Sequence, residues 1–131
     1  MAAYRSGNAH QMIAILDTNA LLIPWHFRID VIEELNRLGF IPVTIEPVRR
    51  ELNVLMMKGL AGAELALRLS ERCQTIETVG GSTVDDQIVN TALKYKAAVV
   101  TNDKDLKREL RKHGLRIVQL RNTKYLEIDL Q

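Results

Sequence analysis

Apolar residues fall along this chain in two alternating rhythms. Residues 12–16 form a short unbroken apolar run that stops at Asp17, as expected of a strand buried on both faces. Ile29, Ile32, Leu35 and Leu38 then recur near helical spacing, which predicts a helix over 30–38. Gly39 follows it, where a helix favours a residue free to take positive φ. Residues 40–45 read as a second strand. Pro47 suits the first turn of the next helix, which carries Glu51 and runs toward Met57. Gly59 and Gly62 bracket a break before a helix over 63–73. A third strand is expected over 74–79 and a loop over 80–83. The helix over 84–96 shows Ile88, Val89, Ala92 and Leu93 on one face. A fourth strand over 97–101, a helix over 104–112 ended by Gly114, and a fifth strand over 116–120 complete the pattern.

Strands thus alternate with helices throughout. That order predicts α/β architecture, a three-layer α/β/α domain around a mostly parallel five-stranded sheet. The chain has 131 residues, enough to bury a real core, and no repeat or linker divides it. Residues 1–131 are therefore expected to form one domain. Residues 1–11 carry no periodicity and are expected to be a flexible start or a remnant of cloning.

Composition changes this picture little. No apolar run approaches the ~18 residues of a membrane span, and no leader pattern opens the chain. Cys73 is the single cysteine, which excludes an internal disulfide and a multi-cysteine metal site. A cytoplasmic location with no membrane partner is the expectation. The net charge of +2 is too small to argue for a nucleic-acid partner; the placement of the charges says more.

Sites in open parallel sheets form beyond the carboxyl ends of the strands, and acids recur there. Asp17-Thr18-Asn19 follows the first strand, Asp85 and Asp86 follow the third, and Asn102-Asp103 with Asp105 follow the fourth. Glu51 lies one turn into the helix after the second. Carboxylates gathered on one rim raise one another's pKa and destabilise the fold unless a cation offsets them. Oxygen ligands without His or Cys favour Mg²⁺ or Mn²⁺ over Zn²⁺, and such a metal supports hydrolysis of a phosphodiester. Each position also has a plainer reading. Asp17, Thr18 and Asn19 all suit a helix N-cap; Thr83 with Asp86, or Ser82 with Asp85, matches a capping box; Asp103 and Asp105 suit a helix start; Glu51 on a helix face is ordinarily a solvated charge. The recurrence at successive strand exits favours a site.

Lys104, Lys107, Arg108, Arg111 and Lys112 make one basic stripe opposite the seam of Leu106 and Leu110. The stripe suits a polyanionic substrate such as RNA. Pairing with Asp105 and Glu109 into a solvated face is the equal alternative. Neither Trp25, Phe27, Tyr4 nor Tyr125 has the spacing of a stacking platform. His10, His26 and His113 have no ligand spacing, Ser82 has no nucleophile-elbow context, and Cys73 has no paired His, so covalent catalysis is rejected. Gly80-Gly81-Ser82 has no downstream Lys to make a phosphate loop. A haloacid-dehalogenase phosphatase also begins with Asp after its first strand, but wants a second Asp where Asn19 stands.

Three segments carry a family resemblance. Ile15-Leu16-Asp17-Thr18-Asn19 resembles the opening motif of PIN-domain ribonucleases. Val84-Asp85-Asp86-Gln87-Ile88-Val89-Asn90-Thr91-Ala92 is similar to their central acidic motif, and Val99-Val100-Thr101-Asn102-Asp103-Lys104-Asp105-Leu106 to their third. Order, strand context and spacing agree over residues 12–120. The most similar branch is the small single-domain archaeal type related to ribosomal-RNA processing nucleases; VapC-type toxins are the other. The resemblance implies a PIN fold and Mg²⁺- or Mn²⁺-dependent cleavage of single-stranded RNA. It implies an acidic quartet of Asp17, Glu51, Asp85 and Asp103, supported by Asn19 and Asn102, with Asp86 and Asp105 behind it. Asp85 matches better than Asp86 because the family's acid lies three residues before the apolar Ile88. The partners it implies are an RNA substrate, a second copy in a homodimer, and an antitoxin or a ribosome-assembly factor. A catalytically silent RNA- or protein-binding module is the rival of a different class, and it has no need of gathered acids.

Overall fold

The computed structural model describes residues 12–130; the expectation for residues 1–11 lies outside them. The chain runs β1 (Met12–Leu16), α1 (Thr18–Phe27), α2 (Val31–Arg37), β2 (Phe40–Thr44), α3 (Glu46–Met57), α4 (Ala63–Glu71), β3 (Gln74–Thr75), α5 (Val84–Tyr95), β4 (Ala98–Val100), α6 (Lys104–Lys112), β5 (Ile117–Arg121) and β6 (Tyr125–Asp129). Among the described residues the sheet has six strands in the order β3-β2-β1-β4-β5-β6, and of their pairs only β5–β6 is antiparallel. Ile13 to Leu16 and Ala98 to Val100 are buried without alternation. Successive strand residues point to opposite faces, so both faces of the sheet centre are covered. No helix among the described residues is long and apolar enough to cross a membrane.

The sixth strand corrects the expectation of five. Tyr125–Asp129 is charge-rich, and only Leu126 in it is fully buried, so it carries little hydrophobic signal. Its ladder with β5 holds it, and side chains from α2 add to that hold. The Leu126 N–H donates to Glu34 Oε1 at 2.9 Å, and Arg37 Nη2 donates to the Leu126 carbonyl at 2.9 Å. The turn before it places Asn122 and Thr123 at φ +54°, with the Lys124 N–H donating to the Arg121 carbonyl. That is the mirror-image turn whose twist suits a hairpin.

The third strand is shorter than expected, ending at Thr75 rather than 79. Beyond it, side chains of α5 take over the backbone's hydrogen bonds. The Val79 N–H donates to Thr91 Oγ1, Asn90 Nδ2 to the Gly80 carbonyl, and Gln87 Nε2 to the Gly81 carbonyl. This strap fixes the loop that leads into Asp85. The helix after β1 was legible only as a cap. Pro24 lies inside it, and an internal proline removes a helical hydrogen bond and breaks the sequence pattern.

Candidate active site

The sheet order places β1 at its centre, with β2 on one side and β4 on the other. The order in which strands are laid down reverses between β1 and β4, and crevices open at such switch points. Leu16 pairs in register with Val100, so Asp17 and Thr101 leave the sheet side by side. The Asp17 N–H still donates to the Val100 carbonyl at 3.3 Å.

Asp17 is only 7% exposed. It is the N-cap of α1, and its Oδ1 accepts from the Ala20 N–H at 2.7 Å. The capping reading is therefore correct for this residue, and it coexists with a second property. Burial pushes the Asp17 carboxyl up to about 6, and Asp85 and Asp103 add to the rise; hydrogen bonds from the Thr101 hydroxyl and the Ala20 N–H oppose it. Asp103 caps α6 in the same way, accepting from the Leu106 N–H at 2.8 Å. Thr101 is 1% exposed. Its oxygen accepts from the Asp103 N–H at 3.0 Å while its hydroxyl engages Asp17. One buried hydroxyl thus ties the two capping acids together.

Asp85 stands in the first turn of α5, open to solvent on one side. Partial burial raises its carboxyl pKa, followed by the charges of Asp103, Glu51, Asp86 and Asp105. Asp85 thereby senses the other acids the sequence pointed to. Of the two capping pairs considered, Thr83 with Asp86 forms the N-cap bond: Thr83 Oγ1 accepts from the Asp86 N–H at 3.0 Å. Asp85 is left to face the rim. Glu51 accepts a hydrogen bond from the Thr18 hydroxyl, which joins α3 to the residue beside Asp17. Asp105 pairs with Arg108 at 3.0 Å.

As they stand, these acids share a rim rather than a common point. Among the described residues, no three His, Cys, Asp or Glu side chains are gathered closely enough to hold one ion. Like charges favour that separation, and caps or hydrogen bonds draw Asp17, Asp103 and Glu51 away from a shared centre.

A family model described as a PIN like domain matches residues 14–123. The chain belongs to the PIN-like domain family. Ribonuclease VapC9 of Archaeoglobus fulgidus is 33% identical to it over 135 residues, covering 99% of this chain and 98% of that protein. A solved structure of the PIN domain endonuclease Utp24 superposes with a TM-score of 0.77 at 31% identity, covering 90% of this chain and 91% of that one.

Around the rim of this PIN-like domain the remaining expected residues divide. Asn102 is a brace: its Nδ2 donates to the Leu120 carbonyl at 3.1 Å, and its Oδ1 accepts from the Leu120 N–H at 2.8 Å. Asn19 is exposed, and no hydrogen bond to another described residue engages its side chain. The α6 stripe is largely paired. Arg108 meets Asp105, Lys112 meets Glu109 at 3.0 Å, Arg111 meets Asp129 at 2.6 Å, and Lys107 donates to Gln119. Lys104 has no such partner among the described residues. Thr101 is the position that sequence reasoning gave no role, and Thr18 was read only as a cap. A threonine at the buried end of an apolar strand, directly before Asn-Asp, was the available signal, because a buried hydroxyl must find a partner. Cys73 is buried, and burial pushes its thiol up to about 11, which agrees with the rejection of covalent catalysis.

Proposed function

We propose that this PIN-like domain is a metal-dependent endoribonuclease that hydrolyses phosphodiester bonds of single-stranded RNA. Asp17, Asp85 and Asp103, with Glu51, are the residues that would hold Mg²⁺ or Mn²⁺. The donor set fits such an ion: it is made of hard carboxylate oxygens with no His or Cys. When bound, the metal supplies charge neutralisation and an activated water for phosphodiester hydrolysis. The observation that carries the reading is Asp17, a buried carboxylate raised to about 6 with two further acids raising it and no cationic side chain among the causes. Natural folds retain so costly an arrangement chiefly where it has a use.

The chain's own residues supply the frame. Asp17 and Asp103 are fixed by the first turns of α1 and α6. Thr101 sets their relative position, and Thr18 restrains Glu51. Asp85 faces solvent, where it can meet substrate.

Ribosomal-RNA processing is the setting we take first. Near full-length similarity to Ribonuclease VapC9 favours a second, a toxin of a toxin–antitoxin pair. Growth arrest on expression, relieved by an adjacent short reading frame, selects the toxin; cleavage confined to ribosomal-RNA precursors selects processing. The deciding test of the activity is Mn²⁺-dependent cleavage of structured and single-stranded RNAs. Wild type is expected to cleave single strands, and Asp17→Asn and Asp103→Asn to be inactive. Equal cleavage by both variants removes the proposal. RNA binding that persists in EDTA, with no cleavage under any metal, would leave a binding module instead.

A further inference from the structure

Beside the acidic rim lies a cavity of about 370 Å³ that the chemistry above does not use. One wall is the face of α1 carrying Ala20 and Ile23, and Leu120 of β5 closes the apolar part. Phe27 lines the mouth and is 41% exposed. His26 lies edge-on to it, with ring centroids 6.1 Å apart. Asn19 and Asn122 line the same space, and no hydrogen bond to another described residue engages either side chain amide. Two short chain connections tie the cavity to the acidic rim. Asn19 is two residues from Asp17, and Asn102, which also lines the cavity, adjoins Asp103.

Charge bears on the occupant. Arg28 follows Phe27 and Lys124 follows Thr123, and both of those neighbours line the cavity. Neither cation forms an ion pair with a described residue, so both are free to meet the phosphates of a polyanionic chain whose base enters here.

Resting on the ribonuclease reading, we propose that this cavity seats an unpaired nucleobase next to the phosphodiester at the acidic rim. Phe27 lies against the face of the base, His26 borders it at an angle, and the amides of Asn19 and Asn122 meet its edge. Single-stranded RNA is read in this way, by aromatic stacking and by polar groups that both donate and accept. An amide offers both to a base edge.

The test separates KM from kcat for Mn²⁺-dependent cleavage of a short fluorescein-labelled single-stranded RNA, with anisotropy of the same RNA reading its binding. Phe27→Ala is expected to raise KM by about 5- to 150-fold, the range of one lost base stack, with little change in kcat. Phe27→Trp is expected to restore it. Asn122→Gly keeps the turn, since glycine accepts that φ, and is expected to weaken preference among bases at one position. Trp25→Ala, on an exposed ring packed toward Gly62, is expected to change nothing. In wild type, an abasic nucleotide at one position should reproduce the Phe27→Ala loss, and the two losses should not add. If Phe27→Ala and Asn122→Gly act like wild type while Asp17→Asn is inactive, the nuclease reading stands and the base site is overturned, leaving the cavity for a protein partner. A wild-type protein that neither cleaves nor binds any of these RNAs overturns both.

Discussion

The acidic rim and the basic face of α6 adjoin through Asp103, yet they are built in opposite ways. On α6, Arg108, Arg111 and Lys112 each meet a carboxylate, and those pairs are exposed on at least one side. Exposed pairs of this kind are worth only ~0–1 kcal/mol. At the rim, Asp17 is buried and is raised by two acids, with hydrogen bonds but no cation in opposition. On the helix most charges have a partner, as on an ordinary solvated face. The rim shows charge held against its own electrostatics, which is how sites that bind ions or polarise substrates are built.

Four predictions probe that contrast, from the largest effect to the smallest. Removing a rim carboxylate should cost most in catalysis. Asp85→Asn and Asp103→Asn are each expected to lower kcat/KM for RNA cleavage by at least about a hundredfold, the scale of one lost transition-state electrostatic contact. Asp103→Asn keeps a capping side chain, so its folded content by circular dichroism should match wild type.

The same charge should weigh on stability. The Asp17 carboxyl rises from 3.8 in the unfolded chain to about 6 in the fold. The folded state therefore holds its proton longer, and stability falls as pH rises through that window. Above it, the metal-free protein carries a penalty of up to about 3 kcal/mol. Asp17→Asn, which also caps a helix, is expected to be more stable than wild type in urea at pH 8 without divalent ions. The advantage should vanish below about pH 4. A variant equal to wild type at pH 8 would erase the contrast between the regions. Thr101→Val sharpens it from the other side. Loss of a buried hydroxyl that serves both acids is expected to cost roughly 1–3 kcal/mol, and Thr101→Ser is expected to recover most of it.

The smallest effects belong to α6. Arg108→Gln and Lys112→Gln should each change stability by less than about 0.5 kcal/mol. They should leave the salt dependence of RNA binding unchanged, whereas Lys104→Gln should reduce its slope by roughly one. A loss of slope at Lys112 would extend the RNA face along the whole stripe, beyond its unpaired first residue Lys104.

Much of this was legible in the sequence because buried parallel strands announce themselves. Met12–Leu16 and Ala98–Val100 are unbroken apolar runs, and Asp17 and Asp103 follow them closely. β6 was not legible, because it pairs with β5 through backbone and buries only Leu126 fully, which leaves little hydrophobic pattern. The short β3 has a tertiary cause, since Thr91 of α5 accepts from the Val79 N–H in the stretch expected to continue the strand. At the site, the acids could be read from strand exits. The hydroxyl bridge of Thr101 and the cavity beside Phe27 could not, because both join segments distant in sequence.

The most direct test of the central claim is the urea unfolding midpoint at pH 8 of wild type and Asp17→Asn, each titrated with Mn²⁺. The uncompensated rim predicts a wild-type midpoint that starts below the variant's and climbs with Mn²⁺, while the variant's stays nearly level. Midpoints that rise together, or a wild-type midpoint that ignores the metal, would contradict it.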